Sequence, residues 1–393
     1  MQAMTFTAPP LLLTVILALS ATSAHPGTPD FFAPRAGIDR DTALLLDAAS
    51  GREGAAGRLR ARLGRKPAPA NAYEDWSFLC GLESHSGHYA RAIADCEKAV
   101  ALNPQGGDAS TLTIARLLVH QPPPRANGAA RVPVTPGVRV PAAAGAFDGM
   151  AMADTGAQIS VMMQSVARSA GVKLLGSTGG ISSSTTASVE GQIGLIPEVR
   201  IGGTFLRNIP VLVMPDAQLT FSHGRETVSL PFVLSVYALA GFGRVAWLDH
   251  DRWLALGGAA PTSFAGAVPM IWHPIGIAVP LDGALGRRTA QFDSGTDVSH
   301  LYESGIALLS DAERGSVVQA RRTIGGIGAV VEQEIRRVPQ ADLMLAGQPL
   351  VLRGVDIAPE SKTGEAARLG EDVLQAYSTV VFDFHAMTFS VSP

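Results

Sequence analysis

A duplicated pattern constrains this chain more than any other feature. Phe147-Asp148-Gly149 leads into Ala153-Asp154-Thr155-Gly156-Ala157, and Leu281-Asp282-Gly283 leads, after a slightly longer turn, into Phe292-Asp293-Ser294-Gly295-Thr296. The two aspartates stand 139 residues apart. Each copy continues with a helix-like segment (161–170 and 301–309), then a glycine-rich stretch (176–180 and 325–328). A strand, a tight turn at Gly202-Gly203 or Ala346-Gly347 and a second strand follow. Each copy closes on an apolar segment, 230–234 or 369–374, so Leu230 and Gly370 follow their aspartates at nearly the same distance. Matching internal offsets at two places imply a duplicated structural unit. Short runs such as Val138-Arg139-Val140 and Pro210-Val211-Leu212-Val213-Met214, with 42 glycines and 26 prolines along the chain, make that unit β-rich.

Apolar-apolar-Asp-Thr/Ser-Gly-Ala/Thr, twice in one chain and each with a later apolar closing segment, resembles the aspartic peptidase signature. The halves are compact, as in retropepsin-like proteins, and fused, as in pepsin-like enzymes. The resemblance spans about residues 130–393 and implies two all-β lobes, 131–262 and 263–393. It also implies Asp154 and Asp293 as a catalytic pair, supported by Thr155, Gly156, Ser294 and Gly295. Like charges a few ångströms apart repel, so such a pair shares one proton and titrates as a unit. The resemblance further implies a flap at Gly179-Gly180 and Gly325-Gly326, a peptide held extended against strand edges, and water as nucleophile with no cofactor or metal. Some residues depart from the pattern. No glycine follows Leu230, Gln158 and Asp297 stand where a small hydroxyl is usual, and Asp297 adds a third carboxylate. A catalytically inactive peptide-binding protein on the same fold is therefore the alternative.

Residues 37–120 differ in texture, being rich in Ala, Leu and Arg at helical spacing. Trp76, Leu79, Gly87, Tyr89, Ala92, Ile93, Ala99, Leu102 and Pro104 fit two amphipathic helices broken at Ser86-Gly87-His88, and they resemble one tetratricopeptide repeat. Asp41 to Leu63 reads as a degenerate helical neighbour. Such modules present a surface to a peptide or protein partner. Cys80 and Cys96 lie at comparable distances from the turn, so they meet across the hairpin, as a disulfide if the chain is exported or otherwise as two buried thiols. Pro122-Pro123-Pro124 stops any helix, and 121–130 is expected to be a stiff linker.

Residues 1–24 carry no charged side chain. An apolar run from Leu11 to Leu19 ends in small residues before His25-Pro26. It is too short to span a bilayer and reads as a cleaved signal peptide, with a buried N-terminal helix as the alternative. The expected location is periplasmic or secreted. A formal charge of −3 gives no electrostatic reason to bind nucleic acid. His85 and His88 lack a third partner for zinc, and Gly325-Gly326-Ile327-Gly328 lacks the lysine of a phosphate loop. Arg321-Arg322 and Arg336-Arg337 are expected on a solvated face. The fold expected is multi-domain: a small α-helical, repeat-like module followed by an all-β bilobal acid-protease fold. The chain is expected to act as a monomer, with no membrane span.

Overall fold

The computed structural model describes residues 12–13, 31–32, 40–65, 71–181, 189–223, 226–274, 276–326, 329–361 and 363–393. The expected signal peptide lies outside the described residues, save for Leu12 and Leu13, whose backbone pairs in parallel with Ile324 and Gly325.

Helices come first: α1 (Arg40–Ala49), α2 (Ala55–Leu63), α3 (Ala72–His85), α4 (Tyr89–Leu102) and α5 (Asp108–Leu118). Gly87 takes the left-handed backbone (φ +74°) that ends α3 and reverses the chain into α4. Leu79, Cys80, Ala92, Cys96 and Ala99 are fully buried, and a Cys80–Cys96 disulfide joins the hairpin with 4.7 Å between Cα atoms. Arg60 of α2 ties the layers together. Its guanidinium donates to Asp95 at 2.7–3.0 Å and to Glu83, which also accepts from Arg91 at 2.9 Å. The disulfide closes a 16-residue separation. Cys80→Ser with Cys96→Ser should therefore lower the unfolding free energy by about 2–3 kcal/mol, read from denaturant midpoints.

The linker expectation needs correction. Within 121–130, Gln121 to Pro124 and Gly128 lack strand or helix structure. Arg125–Asn127 pairs antiparallel with residues 205–207, and Ala129–Pro133 pairs with Trp253–Gly257. Beyond the prolines each residue again has an N–H to offer a neighbour, so the segment joins the sheets instead of bridging them.

The β-rich region carries two sheets of matching plan. In the first, Phe147–Asp154 pairs with Arg139–Ala144 on one side and, in parallel, with Phe232–Ser235 on the other. Ser160–Met163 follows antiparallel to that closing strand and parallel to Thr204–Met214. In the second, Gly286–Phe292 lies between Gly276–Gly283 and the parallel Ala367–Leu369. His300–Tyr302 then bridges Ala367–Leu369 and the parallel Gln348–Ala358. Each sheet adds a long hairpin, Lys173–Ile181 with Val189–Ile201 and Val318–Gly326 with Ala329–Leu345. Each of these pairing directions is found in both halves, as a duplicated unit requires.

The register also corrects the sequence comparison of Leu230 with Gly370. Ser235 stands opposite Asp154, and Leu369 stands opposite Phe292, so the counterpart of Gly370 is Ser235. The first half inserts the hairpin Thr220–His223 with Glu226–Ser229 before its closing strand. Similar spacing in sequence therefore concealed different places in the fold.

A third sheet of six strands is shared. Arg244–Leu248, Trp253–Gly257 and Ala129–Pro133 come from the first half, and Val268–Pro269, Thr379–Asp383 and Thr388–Ser392 come from the second. The halves meet where Arg244–Leu248 runs antiparallel to Thr379–Asp383. Phe292 packs edge-on against Phe382 at 5.0 Å, which ties the strand leading to Asp293 to this sheet.

The helices dock on the β region through apolar contact. Ile271 and Ala278 join the core of α1 to α3, and His85 stacks on Tyr237 at 4.0 Å, which stacks on Trp272 at 4.7 Å. Burial drives the His85 imidazole down to about 3, so this ring is neutral at physiological pH. Among the described residues no helix is long and apolar enough to cross a membrane.

Candidate active site

Asp154 ends one strand and Asp293 directly follows another, and both side chains are 0% exposed. Apolar residues precede them, so each strand drives its aspartate into the interior while the following Gly turns the chain back. Gly156 N–H donates to Asp154 Oδ1 at 2.7 Å, with Ala157 N–H at 3.1 Å, and Gly295 N–H donates to Asp293 Oδ1 at 3.1 Å. The glycines also permit close approach. A Cβ on Gly156 would fall 2.2 Å from Asp293 Cγ, and one on Gly295 would fall 2.5 Å from Asp154 Cγ. The two loops are in contact, and each presses on the other's carboxyl group.

The hydroxyls brace the loops symmetrically. Ser294 Oγ accepts from Thr155 N–H at 3.0 Å, and Thr155 Oγ1 accepts from Ser294 N–H at 2.9 Å. Each hydroxyl then donates across to the opposite strand, Thr155 to the Phe292 carbonyl at 3.0 Å and Ser294 to the Ala153 carbonyl at 2.8 Å. All four donors of the Thr155–Ser294 pair, two N–H and two O–H, are satisfied, so neither loop can shift without orphaning one.

Electrostatics follow from burial. Desolvation, then the charge of Asp293, pushes Asp154 well above the ordinary carboxylate range. Asp293 is also raised by desolvation, but Arg368, the bond to Asp154 and the Gly295 N–H pull it back.

Of the other residues singled out by sequence, Gly179, Gly180, Gly325 and Gly326 lie near the tips of the two long hairpins, whose connecting residues 182–188 and 327–328 fall outside the described residues. Gln158 donates to the carbonyl of Pro274. Asp297 helps to raise Glu371. Arg322 is not solvated. Its side chain is 8% exposed and lies 3.7 Å from Asp356.

Three features were not legible beforehand. The first is Arg368, 5% exposed, whose Nε lies 3.7 Å from Asp293 Oδ2. A charged residue two places before Gly370, inside an apolar closing segment, was the available signal. The second is the pair Ser160 and Ser299, each accepting from a closing-segment N–H, of Ser235 at 3.2 Å and of Gly370 at 2.9 Å.

The third is Glu371, which accepts from Gly137 N–H at 3.2 Å across the two halves. Burial, with Asp251 and Asp297 nearby, raises it to about 7 against that bond. A raised acid favours the folded state fully below its unfolded value of 4.5 and loses that contribution as pH rises towards 7. Glu371→Gln should therefore stabilise the protein at pH 8 by about 1–2 kcal/mol and change little at pH 4, in urea melts at the two values.

An aspartyl protease family model matches residues 139–228, which contain Asp154 and its loop and support an aspartic peptidase. No curated protein matches the chain. The match ends before the second half, where Asp293 sits on the same strand arrangement.

Proposed function

We propose that this chain is an exported aspartic endopeptidase whose two halves each supply one member of a catalytic dyad, Asp154 and Asp293. The observation that carries the reading is the reciprocal brace between Thr155 and Ser294 around two buried carboxylates. With one proton between them, the ionised carboxylate takes a proton from water while the water oxygen bonds to the scissile carbonyl carbon. The protonated partner gives its proton to the carbonyl oxygen. The tetrahedral diol then collapses: the C–N bond breaks, the amine nitrogen takes the proton from the first carboxyl, and the second regains its proton from the hydroxyl. Water is the nucleophile and no cofactor enters. The two long hairpins act as flaps over an extended peptide, and the helical region, tetratricopeptide-like in its α3–α4 hairpin, serves as a scaffold or partner surface.

The test is hydrolysis of an unfolded protein and a mixed peptide library from acid to neutral pH, with a statine-containing peptide as a mimic of the tetrahedral diol. Cleavage blocked by the mimic is expected. No cleavage by intact or N-terminally trimmed protein, with peptides retained, would move the assignment to a binding protein.

A further inference from the structure

The halves match strand for strand, yet their dyad-flanking residues differ in chemistry. In the first half Val233 of the closing strand pairs with Met152 and Val161, all buried. At the same three places in the second half stand Arg368, Gln291 and His300, also buried. Lateral neighbours in a sheet project to the same face. One side of the dyad is therefore apolar, and the other holds a buried guanidinium.

That guanidinium is fixed in place. Arg368 Nε donates to Gln291 Oε1 at 2.9 Å, and its Nη2 lies 3.8 Å from Glu365 Oε1. Glu365 accepts in turn from Thr363 Oγ1 at 2.6 Å. His300 and Tyr302 face Arg368 from the neighbouring strand, and Arg322 lies beyond them. Burial, then the two arginines, keeps His300 neutral, and burial keeps the Tyr302 phenol protonated. Burial opposes the charge on Arg368, and the neighbouring acids Asp293, Glu365 and Asp154 favour it. The charged groups facing Asp293 are thus Asp154 and Arg368, whereas Asp154 faces Asp293 and has the apolar Val233 where Asp293 has its cation.

We propose that Arg368 is a positioning residue that breaks the symmetry of the dyad: it holds Asp293 as the ionised member and leaves the shared proton on Asp154. Asp293 is then the base that takes the proton from water and later returns it to the leaving amine. Asp154 is the acid that protonates the carbonyl oxygen. This rests on the peptidase reading for its chemical meaning, but the proton's location is measurable without turnover.

The experiment uses the full chain with ¹³C-carboxyl-labelled aspartate, titrated by NMR as wild type, Asp154→Asn, Asp293→Asn, Arg368→Met and Arg368→Lys, alongside the pH profile of kcat/KM. Asp293 in the Asp154→Asn variant should titrate at least one unit below Asp154 in the Asp293→Asn variant. Arg368→Met should raise the lower step of the dyad by about one unit, moving the acid limb of the profile upward and costing about tenfold in activity below it. Arg368→Lys should restore most of that. The reverse order of titration in the two Asn variants overturns the proposal, as does an unmoved lower step in a folded Arg368→Met protein. The Asn pair tests the order even if Arg368→Met fails to fold. Absence of turnover with the expected titration order would overturn the peptidase reading alone.

Discussion

Asp154→Asn and Asp293→Asn should each abolish peptide hydrolysis, by about 10³- to 10⁴-fold, and the double variant should lose little more. General acid–base contributions are of that size, and residues acting as one unit are grossly non-additive. The same substitutions should not destabilise the fold at neutral pH. Both carboxyls are raised by desolvation from an ordinary value of 3.8. Each therefore favours folding below that value and disfavours it as pH climbs towards the folded pKa. A neutral Asn removes the penalty, so the melting temperature of Asp154→Asn at pH 7 should match or exceed that of the wild type, whereas Asp293→Asn also takes a counter-charge from buried Arg368 and gains less. Dead enzyme with an undiminished melt separates chemistry from unfolding. Turnover surviving in either single variant would show that the dyad is not the catalyst.

Gly156→Ala should be comparably damaging for a different reason. The methyl group would stand 2.2 Å from both Cγ and Oδ1 of Asp293, closer than any real contact. Relief requires moving the carboxyl whose Oδ1 is held by Gly295 N–H, or breaking the Thr155–Ser294 brace. Both the distance between the carboxyls and their shared proton are then lost. Activity should fall by at least about 10³-fold, and stability by about 1–3 kcal/mol. Gly315→Ala is the control, because nothing lies within 4 Å of a Cβ there. It should leave both properties unchanged. Peptide turnover and urea midpoints of the two variants decide the matter.

The adjacency of the two aspartates and their glycine turns was legible because their residue types follow from local chemistry: an apolar strand, an acid and a glycine turn. The α3–α4 hairpin was legible because Gly87 interrupts a clean helical spacing. What escaped the sequence depended on register. Without knowing that the Thr220–His223 hairpin is inserted, Ser235 cannot be set against Gly370, nor Val233 against Arg368. Arg322 looked solvated because it neighbours Arg321 in sequence. Successive strand residues face opposite ways, so only one of the two is exposed. The strands at Arg125–Asn127 and Ala129–Pro133 were hidden by the prolines before them, and their partners lie far along the chain.

The shared six-stranded sheet makes the two halves mechanically one body. Arg244–Leu248 and Thr379–Asp383 form the strand seam of that sheet between the halves, five residue pairs long, with Ala246 facing Val381 at its middle. Ala129–Pro133 lies at one margin of the sheet and Val268–Pro269 at the other. A cut in the crossing segment between residues 257 and 268 would sever the backbone yet leave the seam and its hydrogen bonds intact. The nicked protein should behave as a clasped pair of fragments. Fragments made separately and mixed should find each other through this seam, rebuilding an aspartate pair of which each carries one member.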